Sequence, residues 1–140
     1  ETGNDINEYA LSTGFDVSTA SFTDSFSVAA QETAPSGVAF NSDGTKMFIV
    51  GSNVDTVFQY TLTTGFDVST ASYASISFSV ASQDNVVMDI AFNPAGDKMF
   101  IVGMQSDSIY EYTIPLALTL GTGSFASGRF RLLEYVRCCL

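Results

Sequence analysis

The chain has no histidine and no tryptophan, and only 5 Lys and Arg against 15 Asp and Glu in 140 residues. These absences remove at once the commonest catalytic base, the commonest nitrogen ligand for metals and the best stacking side chain. Cysteine occurs only as the adjacent pair Cys138-Cys139. Two neighbours near one end staple nothing, so neither a disulfide framework nor a metal-binding spacing is present. No apolar run approaches the ~20 residues that cross a bilayer, and no charged segment followed by a hydrophobic one opens the chain. A leaderless or processed soluble form with no membrane partner is expected, with residues 1–4 as an appended or disordered remnant. Asn41, Asn53, Asn85 and Asn93 all lack the Ser or Thr that would make them glycosylation acceptors.

The cations are also unevenly placed. Residues 129–140 hold three of the five basic residues and one acid, which leaves 2 basic against 14 acidic residues before them, a formal charge of -12. Such a surface repels phosphate backbones and anionic lipid, so nucleic acid is excluded as a partner and a cation or basic protein surface suits it better.

What is present is a tandem repeat. Thr-Gly-Phe-Asp-Val-Ser-Thr-Ala-Ser stands at Thr13–Ser21 and again at Thr64–Ser72, and Lys-Met-Phe-Ile-Val-Gly at Lys46–Gly51 and Lys98–Gly103. The first pair is offset by 51 residues and the second by 52, and Val28 against Val80 places the gained residue within the Phe22–Phe26 stretch. A repeat of this period decides architecture before any single residue does.

Within each unit apolar residues alternate, and turn residues interrupt them every ~8–12 positions, the pattern of short antiparallel strands. Four strands per unit are expected: Gly37–Asn41 with Asp89–Asn93; Lys46–Gly51 with Lys98–Gly103; Thr56–Leu62 with Ser108–Ile114 and Asp5–Leu11; Ser75–Val80 with Ser25–Val28. The second strand is expected to be buried on both faces, Met47 and Ile49 on one side and Phe48 and Val50 on the other. Ser42-Asp43-Gly44-Thr45 and Pro94-Ala95-Gly96-Asp97 supply hairpin turns with a glycine at positive φ. The period covers residues 5–114, as a half unit (5–28), a full unit (37–80) and three strands of another (89–114), and the atypical tail 115–140 follows. In that tail Leu116, Leu118 and Leu120 alternate as a replacement fourth strand would, and Arg129–Arg137 forms a basic segment.

Four-stranded units of this length stack radially into β-propellers. The run Gly37-Val38-Ala39-Phe40-Asn41-Ser42-Asp43-Gly44-Thr45-Lys46-Met47-Phe48-Ile49-Val50 resembles the blade signature of YVTN-type, NHL and SMP-30-like propellers, and Asp89–Val102 resembles it again. The resemblance implies an all-β fold of four-stranded antiparallel blades, about two and a quarter per chain, whereas propellers close with about four to eight. Completion by other copies or by further sequence is then expected, because bare blade faces and strand edges invite pairing.

The two copies also sort candidate sites. Asp16 and Asp67, in the identical nonamers, read as turn acceptors of backbone N–H groups. The connections at the opposite rim diverge, and there Glu32, Asp55, Asp84 and Asp107 gather as candidate oxygen ligands, for Ca²⁺ if for any metal, beside the candidate binding residues Gln31, Asn53, Gln83 and Gln105. No carboxylate is set apart from the others, so no catalytic residue and no required cofactor is assigned. The function expected from these readings is a non-catalytic structural or self-assembling module of an extracellular, cell-surface, fibre or phage-type protein, working as a homo-oligomer or polymer and not as an enzyme. A binding module using the acidic rim for Ca²⁺, glycan or a basic protein is the alternative, and an SMP-30-like hydrolase a more distant one.

Overall fold

A computed structural model describes residues 3–114 and the backbone of residues 124–131. Ten strands follow in chain order: β1 Asp5–Leu11, β2 Ala20–Ser27, β3 Pro35–Phe40, β4 Lys46–Gly51, β5 Thr56–Leu62, β6 Ala71–Ser79, β7 Val87–Phe92, β8 Lys98–Gly103, β9 Ser108–Thr113 and β10 Ser124–Arg131. They make three antiparallel sheets, ordered β1-β2, β3-β4-β5-β6 and β10-β9-β8-β7. The all-β antiparallel class is as expected. The propeller is not seen: among the described residues the sheets stand side by side, each open, and none closes on itself.

Each sheet follows from its sequence pattern. In β4 every second residue enters a different core: Met47 and Ile49 pack with Phe58, Tyr60, Leu62 and Val68, against Ile6 and Phe26 of the first sheet. Phe48 and Val50 pack with Val57 and Val80, against Ile90, Met99, Ile101, Tyr110 and Tyr112 of the third. Burying such side chains stabilises by about 1.5–3 kcal/mol each, so β4 contributes to both inter-sheet seams. The same six letters in β8 behave differently. Met99 and Ile101 are buried but Phe100 and Val102 only half so, since one of the two faces has no sheet against it among the described residues.

The turns close as their residues dictate. Gly44 and Gly96 take φ of 71° and 72°, and Asn41 and Asn93 accept from the Lys46 and Lys98 amides through Oδ1 at 2.9 and 3.0 Å. The nonamers fold as anticipated. Asp16 and Asp67 cap one-turn 3-10 helices, each Oδ1 accepting from the Ser18 or Ser69 amide at 3.0 or 3.1 Å and from that serine's hydroxyl at 2.6 Å.

Two details depart from expectation. The outer strands are longer than the alternation suggested, because β2 and β6 run through an irregularity that pattern-reading takes for a break. That irregularity also holds the gained residue. Between Glu8↔Asp24 and Tyr9↔Phe22 one residue of β2 bulges out, and between Gln59↔Ile76 and Tyr60↔Tyr73 two residues of β6 do. One of them, Ser75, sits at φ 59°, so the insertion is absorbed in a wider β-bulge without shifting register on either side. The expected replacement strand around Leu116–Leu120 lies outside the described residues, as does most of the basic segment. The fourth-strand place is taken by β10, which pairs with β9 from Ser124↔Thr113 to Arg131↔Ser108.

Candidate functional site

The divergent loops meet at one end of the seam between the second and third sheets. There the structure separates the four acids into three situations. Glu32 and Asp84 precede β3 and β7 in equivalent loops and are both buried. Glu32 accepts from the Ala34 amide through Oε1 at 2.7 Å and from the Val54 amide through Oε2 at 3.2 Å. Asp84 accepts more bonds: Oδ1 from the amides of Val86 (2.8 Å) and Gln105 (3.4 Å), and Oδ2 from the amide and hydroxyl of Ser106 at 2.9 and 2.5 Å. Each acid therefore ties its own loop to the loop after the next strand, twenty-odd residues on. Burial pushes the Asp84 carboxyl up, but the Ser106 hydroxyl and the three amides outweigh it and hold its pKa below the usual value.

The geometry also explains Gly51 and Gly103, which end both copies of Lys-Met-Phe-Ile-Val-Gly. A Cβ on Gly51 would meet the Glu32 side chain and the Ala34 carbonyl, and one on Gly103 would meet the Asp84 carboxylate, in each case well inside 3.0 Å. Sequence reasoning had no role for these glycines. The signal available was their identity at the end of a strand that needs no turn.

The glutamines beside the acids act in the same brace. Tyr60 and Tyr112, fully buried as rings, each donate a hydroxyl hydrogen bond, to Gln31 Oε1 at 3.0 Å and Gln83 Oε1 at 2.9 Å. Burial raises the Tyr60 phenol to about 12 and the Tyr112 phenol higher still, so both stay neutral donors at any physiological pH. Tyr112→Phe is expected to lower stability by about 1 kcal/mol in urea unfolding, the worth of one buried neutral hydrogen bond. Asn53 and Gln105 are exposed, Asn53 donating to Thr33 Oγ1 at 2.9 Å and Gln105 meeting Asp84 only through its backbone amide.

Asp55 is in the second situation, and its repeat counterpart in the third. Asp55, the residue just before β5, takes φ 50°. Its Oδ1 is buried with no hydrogen-bond partner. Burial raises its pKa, the Val87 amide partly offsets that, and the negative charges of Asp84 and Glu32 add to the rise. Its repeat counterpart Asp107, at φ 49°, is exposed. The four acids are thus not assembled as one ligand set, and among the described residues no group of three or more His, Cys, Asp or Glu is gathered around a common point that would hold a metal ion.

No protein-family model matches the chain. No curated protein matches it either. Among solved structures, similar ones include that of a "putative 6-phosphogluconolactonase" from Bacteroides uniformis, with TM-score 0.58 and 11% identity over 92% of this chain. The chain spans 37% of that protein's length. At this identity the likeness is one of fold.

Two expectations are corrected by it. The resemblance to YVTN-type, NHL and SMP-30-like repeats is not upheld, since no model of such a family matches and the structural likeness runs instead to the Bacteroides protein. The short run that suggested it, a strand, a turn with a glycine at positive φ and a second strand, is the general chemistry of a tight hairpin. The expectation of a non-catalytic structural or self-assembling module, and of no enzyme, is corrected as well: the solved structure that shares this arrangement of sheets bears the name "putative 6-phosphogluconolactonase" and not that of a structural protein. The repeat and the open sheet edges that prompted it describe a scaffold, and a scaffold does not fix what it does. No helix among the described residues is long and apolar enough to cross a membrane.

Proposed function

We propose that the chain is part of a hydrolase that opens sugar lactones, its three sheets being blade-like units of a larger scaffold, with Asp55 as the carboxylate that accepts the proton of the attacking water. The observation that carries this reading is the Asp55 side chain. It lies at a sheet seam, one oxygen buried and unpartnered, with a pKa raised by burial and by two neighbouring acids. A carboxylate so placed is a better base than an exposed one, and although the Val87 amide bonds to it, it keeps one oxygen without a partner, which neither Glu32 nor Asp84 does. The shared fold supports the assignment of reaction class.

In that reaction water adds to the lactone carbonyl as Asp55 takes its proton. The ring C–O bond then breaks, and the proton passes to the departing ring oxygen, leaving the open hydroxy acid. Charge favours an unphosphorylated lactone. Of residues 3–114 only Lys46 and Lys98 are cationic, against 13 acids, and Lys98 is engaged with Glu111 at 2.5 Å, so a phosphate ester would meet a field of largely uncompensated acids there.

Glucono-1,5-lactone hydrolysis, followed as acid release, tests the proposal. The chain is expected to exceed the spontaneous rate and Asp55→Asn to lose about 100-fold or more, whereas Asp107→Asn, the same change at the exposed counterpart, is expected to leave the rate unaltered. Hydrolysis no faster than the buffer rate, or equal loss from both variants, would overturn it.

A further inference from the structure

Asp55 reaches across the seam from the second sheet to the first residue of β7, and the repeat shows which neighbours go with it. Its carbonyl accepts from the Val80 amide at 2.9 Å, as the Asn4 carbonyl accepts from the Val28 amide at 2.9 Å in the first unit, so Asn4 holds the equivalent place. Pro35 is likewise the counterpart of Val87. The first seam thus has an uncharged side chain and a residue with no N–H, where the second has a carboxylate and the Val87 N–H that bonds to it. Acid and donor differ together between the two seams.

Val87 is fixed from two sides. The peptide that carries its N–H has its carbonyl, on Val86, accepting from the Met104 amide at 2.9 Å. The next peptide is held from the opposite sheet: the Ser36 hydroxyl, on β3, donates to the Val87 carbonyl at 2.8 Å, a contact between residues 51 apart in sequence. Ser36 is itself exposed, and its hydroxyl is no part of the β3–β4 pairing.

We propose that Ser36 is the positioning residue of the Asp55 site: by holding the Val87 carbonyl it aims the Val87 N–H at the Asp55 carboxylate, which fixes that side chain while Oδ1 keeps no partner. Ser36 acts through Val87 and touches no reacting atom. Its part in turnover rests on the hydrolase reading, in which Oδ1 takes the proton from water, but the positioning is measurable without turnover. The direction of the effect follows from charge. Burial raises the Asp55 pKa, the Val87 N–H opposes that rise by favouring the ionised form, and the charges of Asp84 and Glu32, from the loops before β7 and β3, add to it. Asp89, the other acid of β7, is exposed and accepts from the Ile90 amide at 2.8 Å. Loosening Val87 weakens the one opposing influence.

The test follows the side-chain carboxyl carbon of Asp55 by NMR through a pH titration of the full chain, with the pH dependence of glucono-1,5-lactone hydrolysis measured alongside. Ser36→Ala, a change at an exposed side chain, is expected to move the Asp55 midpoint to higher pH. On the acid limb of the kcat/KM profile it is expected to lower the rate about fivefold, the worth of one hydrogen bond. Ser36→Thr, which keeps the hydroxyl, is expected to restore both. An unmoved Asp55 midpoint in Ser36→Ala would overturn the proposal whether or not the chain opens lactones, and so would a Ser36→Thr chain that behaves as Ser36→Ala does. A midpoint that moves as expected in a chain with no hydrolysis above the buffer rate would support the positioning and sink the hydrolase reading instead.

Discussion

Gly103→Ala is expected to destabilise the chain by about 3 kcal/mol, a large share of the stability of a domain this size. The added methyl lands on the Asp84 carboxylate, a group that cannot swing away, because four donors from three residues hold it and it is buried. Either the carboxylate moves and leaves those donors unpaired, or β8 moves and opens the seam against β4. Gly51→Ala is expected to behave alike, its methyl meeting the Ala34 carbonyl as well as Glu32. Gly14→Ala is the control, with nothing within 4 Å of the new Cβ; its change is expected within about 0.5 kcal/mol. Urea unfolding followed by far-ultraviolet circular dichroism reads all three. A Gly103→Ala chain as stable as the Gly14→Ala chain would contradict the steric account.

Removing the acid itself is expected to cost as much or more. Asp84→Ala strips the acceptor from the amides of Val86, Gln105 and Ser106 and from the Ser106 hydroxyl. Buried donors without partners cost about 1–3 kcal/mol each where water cannot reach them, so a total of about 3–4 kcal/mol is expected even with some rehydration of the loop. The effect carries a pH signature. The Asp84 pKa is lower in the folded chain than its ordinary value of 3.8, so its contribution is present above that value and is lost as pH falls through the lower, folded one. Asp55 is displaced the other way from 3.8. Its favourable share is present below 3.8 and is lost as pH rises through the folded value, which makes the charged form at neutral pH a cost. Asp84→Ala should therefore flatten the acid limb of the stability profile, while Asp55→Asn should be no less stable than the parent at pH 7. An Asp84→Ala chain that kept the parent's acid limb would show that some other carboxylate governs it.

The two acids mark where sequence reading succeeded and where it stopped. Alternation in Lys-Met-Phe-Ile-Val-Gly correctly assigns Met47 and Ile49 to one core and Phe48 and Val50 to the other, because side-chain direction in a strand is a local property with period two. The Asn-x-x-Gly turns and the Asp16 and Asp67 caps are equally local, each bond closing within a few residues. The sequence offered Glu32 and Asp84 only as candidate oxygen ligands, because the loops they brace lie some twenty residues away in sequence and approach in a way that depends on the register of two other strands. Asp55 is harder still. Its residue type and loop match those of Asp107, and only the third sheet lying beside it buries one and leaves the other in water.

Strand, turn and cap could be read from the letters because each is settled by torsion angles and hydrogen bonds among near neighbours, and the 51- and 52-residue offsets even located the bulge that absorbs the extra residue. Which identical residues are buried and which exposed, which acid braces a loop and which keeps a free oxygen, depended on sheets meeting across long stretches of chain. Burial and pKa are set by whatever surrounds a group in space, and in a repeat those surroundings differ where the letters do not.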